Sequence, residues 1–297
     1  MKSYRNHRIF LRVACCLLFL AGLSLPSKTV QAQPQQKATW LWNASLIKDS
    51  SESILSFAAA NGINVFYVQM NRDVRPEYYK SFIRQATARG MEVHALGGAP
   101  NWSLESERYR VDAFIQWTTD YQNVAAPSER FKGIHFDIEP HVLSQWKTDQ
   151  ASVIAQWQSS INYLVDSLRP LNLPITADIP FWLYKYDLPD KSASMSRWLI
   201  SKVDAVAIMA YRDQATNIYN LAAAELKEAD ELGKKAVIAV ETKQSSEGAF
   251  ITFYEESAEF MDRQLQMVEA MAANHASFSG FAIHEYNSYR SLVEKGN

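Results

Sequence analysis

Beyond residue 16 the chain contains no cysteine; its only two are Cys15 and Cys16, near the N-terminus. If the segment that holds them is cut away, disulfides and thiol chemistry are excluded and the fold must rest on a packed core. A hydrophobic composition of 47% is enough to build one. No basic run or low-complexity tract follows residue 37. Partners held by positive charge, such as nucleic acid or an anionic membrane, are therefore poor candidates. No glycine-rich phosphate loop follows the first predicted strand, which counts against an open dinucleotide-binding sheet. The His-x-His pattern of metal amidohydrolases is also missing, and neither a metal nor a cofactor is expected.

The N-terminus has a different character from the rest. Lys2, Arg5, Arg8 and Arg12 form a basic start, and an apolar run from Val13 to Leu25 follows. The run is too short for a comfortable membrane span. Val30-Gln31-Ala32 then offers a cleavage site, so residues 1–32 read as a secretory signal peptide and 33–37 as a short polar linker. Five of the 30 basic residues would leave with the signal, giving 25 against 32 acidic residues and a mature charge near −7. The expected address is exported, either periplasmic or extracellular, with no membrane association after cleavage.

From residue 38 onward, strand-like and helix-like segments alternate. Strands are predicted at Trp40–Asn43, Ile63–Met70, Met91–Leu96, Ile134–Glu139, Ile175–Ile179, Val203–Tyr211, Ala236–Glu241 and Gly280–His284. Helices are predicted between them at Ser45–Asn61, Pro76–Arg89, Leu104–Tyr121, Leu143–Leu168, Ser194–Ile200, Leu221–Leu232 and Ser257–Ala273. Eight strands over about 255 residues is the size of an α/β, (β/α)8 TIM barrel, so 38–297 is taken as one barrel domain. Alternation alone would also allow a doubly wound sheet. Polar and aromatic residues recurring at nearly every strand end favour the barrel.

The fourth strand is the most unusual. Ile134, Phe136 and Ile138 point one way; His135, Asp137 and Glu139 point the other. An ionisable row needs partners or water to be tolerated inside a fold. Pro140 cannot continue a central strand, so Glu139 should lie at the carboxyl end, where barrel active sites are built. The other strand ends supply Trp42, Asn43, Gln69, Asn71, Asn101, Trp102, Asp178, Trp182, Tyr211, Asp213, Glu241, His284, Glu285 and Tyr286. Carboxylates, amides and large aromatics on one rim suit a carbohydrate, with rings stacking on sugar faces and polar groups taking hydroxyls. Two carboxylates on one strand face cannot both ionise cheaply in a dry pocket, so one is pushed toward the protonated form that an acid catalyst requires.

These motifs resemble the chitinase-like glycoside hydrolases of family 18. Ala95-Leu96-Gly97-Gly98 is similar to that family's Ser-x-Gly-Gly, with Ala for Ser. Asp137-Ile138-Glu139 matches the end of its Asp-x-x-Asp-x-Asp-x-Glu, with Lys132 and His135 in place of the two earlier aspartates. Met209-Ala210-Tyr211 matches its Met-x-Tyr-Asp, the Asp coming one residue late at Asp213. The resemblance implies that Glu139 protonates the leaving oxygen, Asp137 orients the substrate's own N-acetyl group as nucleophile, and Tyr211 holds that group. A retaining mechanism is the alternative, with Glu139 as acid/base and Glu241 as nucleophile, as in the family-5-like clan.

The expected function is thus hydrolysis of a polysaccharide or oligosaccharide. Catalysis would fall to Glu139, Asp137, Tyr211 and Glu241. Substrate contacts would come from Trp42, Gln69, Asn71, Trp102, His135, Asp178, Trp182, Asp213, His284, Glu285 and Tyr286. Three other readings stay open. One is a silent barrel in which Asp137 and Glu139 pair with Arg212, Lys243 or Arg290; one is a non-catalytic sugar-binding barrel; one is a metal-dependent hydrolase. The oligomeric state has no signature in the sequence. Processing is testable at once: mass spectrometry of the exported protein should find Gln33 at the N-terminus, and its thermal midpoint should ignore reductant. An intact leader, or a midpoint that falls on reduction, would contradict this reading.

Overall fold

A computed structural model describes residue 1 and residues 35–296. The leader and the start of the linker lie outside the described residues. Eight parallel strands close into a barrel in chain order, each strand pairing with its sequence neighbours and the last with the first. They are β1 (Gln36–Leu41), β2 (Val65–Gln69), β3 (Glu92–Gly97), β4 (Gly133–Phe136), β5 (Ile175–Pro180), β6 (Ala205–Met209), β7 (Lys235–Glu241) and β8 (Phe278–His284). Closure is made where Gln36–Thr39 run beside Gly280–Ile283. The helices are α1 (Ser51–Ala60), α2 (Pro76–Ala88), α3 (Arg108–Val124), α4 (Gln150–Leu168), α5 (Met195–Lys202), α6 (Ala215–Leu232), α7 (Ala258–Ala272) and α8 (Tyr286–Lys295).

The differences from the sequence reading fall mostly at element boundaries. β1 begins at Gln36, so two linker residues belong to the barrel. Lys37 extends that strand because Asn64 accepts its backbone N–H at 2.9 Å. The long helix expected from Leu143 starts only at Gln150, where Asp149 caps it through the Ser152 N–H. Short 3-10 turns at Pro140–Val142 and Ser144–Lys147 fill the gap. α6 begins at Ala215 rather than Leu221. α8, absent from the expectation, follows β8 directly behind a capping box built by Glu285 and Ser288.

Two apolar layers hold this architecture together. Outward strand residues such as Ile134, Phe136 and Ile138 pack with the helices, including the buried Trp157, Ile161 and Leu164 face of α4. Inside the barrel, Trp40 and Tyr67 pack with Ala207, Ala239 and Ala282. The large rings come from β1 and β2, and the alanines come from β6, β7 and β8, so bulk on one side fills the space left on the other. The barrel is a packed core with a mouth at the carboxyl ends.

One close approach fixes the mouth. The Asp137 backbone N–H donates to the Gly97 carbonyl at 3.0 Å, extending the β3–β4 ladder past Phe136. Gly98 has φ +140°, and a Cβ there would run into the Asp137 backbone carbonyl. On the other side, the Trp157 indole of α4 donates to the Ile138 carbonyl at 3.2 Å. The segment carrying the two acids is thereby held from both flanks. Gly98→Ala should cost about 2 kcal/mol or more, read as a lower urea midpoint. An unchanged midpoint would show that this approach is not a constraint.

Candidate active site

Asp137 and Glu139 emerge at the carboxyl end of β4, flanking the buried Ile138. Glu139 has its pKa pushed up to about 7, by burial first and then by the negative charge of Asp178; His284 acts in the opposite direction. Asp137 is raised well above the usual carboxylate range by burial, Asp178 and Glu139. Its Oδ1 is buried with no hydrogen-bond partner. The pair therefore carries protons where an exposed pair would be fully ionised. Neither acid forms an ion pair with Arg212, Lys243 or Arg290; the nearest basic group to Glu139 is His141, at 3.4 Å.

Tyr211, just past β6, is the point on which the acids converge. Its phenol is raised well above its ordinary value by burial, then by Glu241, Asp178, Asp137 and Glu139. Four carboxylates from β4, β5 and β7 thus lie within electrostatic reach of one hydroxyl.

Below them sits a layer of polar groups inside the barrel. Asp178 accepts from the Trp40 indole at 3.2 Å and from His135 Nε2 at 2.9 Å. The His135 ring stacks on Tyr67, with centroids 3.8 Å apart. His135 and Asp178 are expected from the sequence among the substrate contacts. With exposures of 0% and 5%, they instead form the floor beneath the mouth. The alternation reads their direction correctly but not their depth. Asp178 is doubly hydrogen-bonded, and its charge helps to raise both Asp137 and Glu139.

Glu241 and His284 form a second unit. Glu241 Oε1 accepts the backbone N–H groups of Thr242 and Lys243 at 2.8 and 2.7 Å, and Oε2 meets His284 Nδ1 at 2.9 Å. The Trp42 indole N–H donates to His284 Nε2 at 3.0 Å. An indole only donates, so Nε2 must be the acceptor and the proton must sit on Nδ1, facing Glu241. Burial lowers the pKa of His284, but the Glu241 hydrogen bond and the surrounding carboxylates raise it overall. Protonating it would break the Trp42 bond.

Other expected contacts divide between mouth and frame. Trp182 meets His141 edge-on at 4.7 Å, beside Glu139. Gln69 and Trp102 line a cavity of about 680 Å³ that adjoins the mouth at Gly97 and Gly98 and runs outward to Phe114 of α3. Asn71 accepts the Asp73 N–H within its own turn. Asn43 caps the 3-10 turn Ala44–Ile47, and the Asn101 amide donates to Glu107 at 3.0 Å. Asp213 bonds the Phe250 carbonyl through its backbone N–H at 3.2 Å. Glu285 caps α8. Tyr286 is a correction: it opens α8 and is buried in the helix layer against Phe57 of α1, not in the mouth. Helix formation straight after His284 turns it outward.

Sequence reasoning missed Trp40, Tyr67, His141 and the setting of Arg212. Two of these had a signal. Trp40 and Tyr67 precede Trp42 and Gln69 by two residues, so the strand period places them on the same inward face. Among the described residues, no group of three His, Asp or Glu is arranged to hold a metal ion.

A closed (β/α)8 barrel with acids gathered at its strand ends is the class to which fold and site belong. No family model and no curated protein matches the sequence. Among solved structures, a chitinase from Chromobacterium violaceum is similar at 12% identity, with 88% of this chain and 98% of that chain covered and a TM-score of 0.53. The PgaB (BpsB) glycoside hydrolase domain from Bordetella bronchiseptica is similar at 11% identity, covering 87% and 96%, with a TM-score of 0.53. A family GH18 chitinase from Cycas revoluta, in complex with allosamidin, is similar at 12% identity, covering 88% and 98%, with a TM-score of 0.52. At these identities the likeness is one of fold: this chain has the barrel of chitinase-like glycoside hydrolases in a strongly divergent sequence.

The shift at Glu139 has a consequence for stability. Its folded pKa of about 7 lies above the ordinary 4.5, so the folded state binds the extra proton between those values. Stability should be full below pH 4.5 and fall as pH rises through 7, by ~3 kcal/mol from this group. Glu139→Gln should flatten that slope and be the more stable form in alkali. Denaturant midpoints across the range test it; parallel profiles for the two proteins would refute the assignment.

Proposed function

We propose that the protein is an exported glycoside hydrolase that acts on a β-linked, N-acetylated polysaccharide or oligosaccharide. The observation that carries this reading is the Asp137–Glu139 pair, half-buried at the barrel mouth, with Glu139 poised near 7 and Asp137 raised well above the usual carboxylate range. Glu139 is the general acid: a carboxyl protonated near neutrality can protonate a glycosidic oxygen and then accept a proton from water. Asp137 has a buried oxygen without a hydrogen-bond partner, suited to an amide N–H of the substrate. Tyr211, kept a neutral donor by the surrounding acids, is suited to the acyl oxygen of that amide. The acetamido group then closes on the anomeric carbon as the glycosidic bond breaks, and water reopens the ring with retention.

Two further points support this choice. Glu241 is less suited to be a covalent nucleophile, because three hydrogen bonds already stabilise its charge. Neighbours of the same fold include chitinases crystallised with (GlcNAc)3, which is consistent with an N-acetylated ligand here. Trp42, beside His284, and Trp182, beside His141, are the rings proposed to stack on sugar faces. Export rests on the leader-like start; no helix among the described residues is long and apolar enough to cross a membrane.

The test is a screen of the mature protein against defined N-acetylated oligosaccharides, with the product anomer followed by NMR. Glu139→Gln should lower kcat about 10²–10⁴-fold while binding survives. The rate should fall as pH rises past 7, since the acid must hold its proton. Binding without turnover in the parent protein would support a sugar-binding barrel instead. A fluorosugar adduct on Glu241 would support the covalent alternative, and loss of turnover with a chelator would support a metal-dependent one.

A further inference from the structure

Arg212 follows Tyr211 on the same rim, and nothing in the proposed chemistry uses it. Its guanidinium lies between two phenyl rings, 5.6 Å from the centroid of Phe181 and 5.2 Å from that of Phe250. Phe181 comes from the end of β5, and Phe250 from the β7–α7 loop. One N–H is fixed on the Tyr211 carbonyl at 2.6 Å. The loop is tied back to the same rim where Asp213 N–H meets the Phe250 carbonyl at 3.2 Å. The head group is half-buried, and among the described residues it has no carboxylate partner. Phe250 itself is 53% exposed.

A guanidinium set against two aromatic rings and bonded to a backbone carbonyl keeps its charge and loses much of its freedom. Its remaining N–H groups present the planar fork that matches a carboxylate. The charges that act on Glu139 are Asp178 and His284, so this cation does not serve to neutralise the acid pair. It is a positive point next to Tyr211, on which the acids Glu241, Asp178, Asp137 and Glu139 act. An acidic sugar is repelled by that cluster and attracted by the guanidinium, which would fix the register of a charged chain.

We infer that Arg212, clamped between Phe181 and Phe250, is a specificity site that receives a carboxylate substituent of an acidic, N-acetylated glycan in the subsite next to Tyr211. This deepens the glycosidase reading and rests on it.

Calorimetry on the exported protein carrying Glu139→Gln separates the two. The probes are the N-acetylglucosamine tetramer, the same tetramer oxidised to carboxylates at C6, and a muramic-acid-containing tetrasaccharide. At least one acidic probe should bind about tenfold tighter than the neutral tetramer, with the preference shrinking in high salt. Adding Arg212→Gln should bring the ratio near one. Phe250→Ala, at an exposed position, should reduce it in the same direction and guards against a folding defect. If the neutral tetramer binds at least as well as both acidic probes, or if the preference survives Arg212→Gln, this inference is overturned while the glycosidase reading stands. If no glycan binds at all, both fall.

Discussion

Like charges forced together at the mouth of a closed barrel are the constraint on which the rest depends. Closure brings β4, β5 and β7 into one ring, and with them Asp137, Glu139, Asp178 and Glu241. All four act on the Tyr211 hydroxyl. Carboxylates so placed, and shielded from water, are ionised only at a cost, so the group holds protons that isolated acids would release. The chemistry assigned to Glu139 follows from this crowding rather than from any special property of a glutamate.

The frame around the acids reads as a set of devices for keeping the crowding in place. Gly98 lets the chain after β3 pass close to Asp137, and Trp157 reaches in from α4 to hold the Ile138 carbonyl. Trp40 and His135 hold the Asp178 carboxylate in place. Glu241 is managed differently: backbone N–H groups and His284 stabilise its ionised form. One ring of carboxylates therefore contains two raised by burial and by their neighbours, Asp137 and Glu139, and two held by hydrogen bonds, Asp178 and Glu241. Such divergence is what acid catalysis needs from chemically similar side chains.

Much of this was legible before any coordinates. The alternation from Trp40 to His284 gives the eight strands and their order, because β/α periodicity leaves few other closures. The period of two in Ile134–Glu139 identifies the outward apolar row and the inward ionisable row, and Pro140 marks the end of that run. What the pattern does not carry is depth along the barrel axis. His135, Asp137 and Glu139 share a direction, yet His135 is sealed in the floor and Glu139 is at the mouth. Tyr286 illustrates a second limit, since α8 starts immediately and turns it into the helix layer. The Arg212 clamp illustrates a third. Phe181, Arg212 and Phe250 come from three different strand-to-helix connections, and only the closed ring brings them together.

The central claim is that the acid pair carries a proton at neutral pH. Infrared difference spectroscopy of the mature protein against Asp137→Asn and Glu139→Gln measures this without any substrate. A protonated-carboxyl C=O band is expected in the parent protein, lost in Glu139→Gln, fading as pH is raised through 7, and altered in Asp137→Asn, whose carboxyl helps to raise its neighbour. Spectra in which both side chains are fully ionised at neutral pH would contradict it.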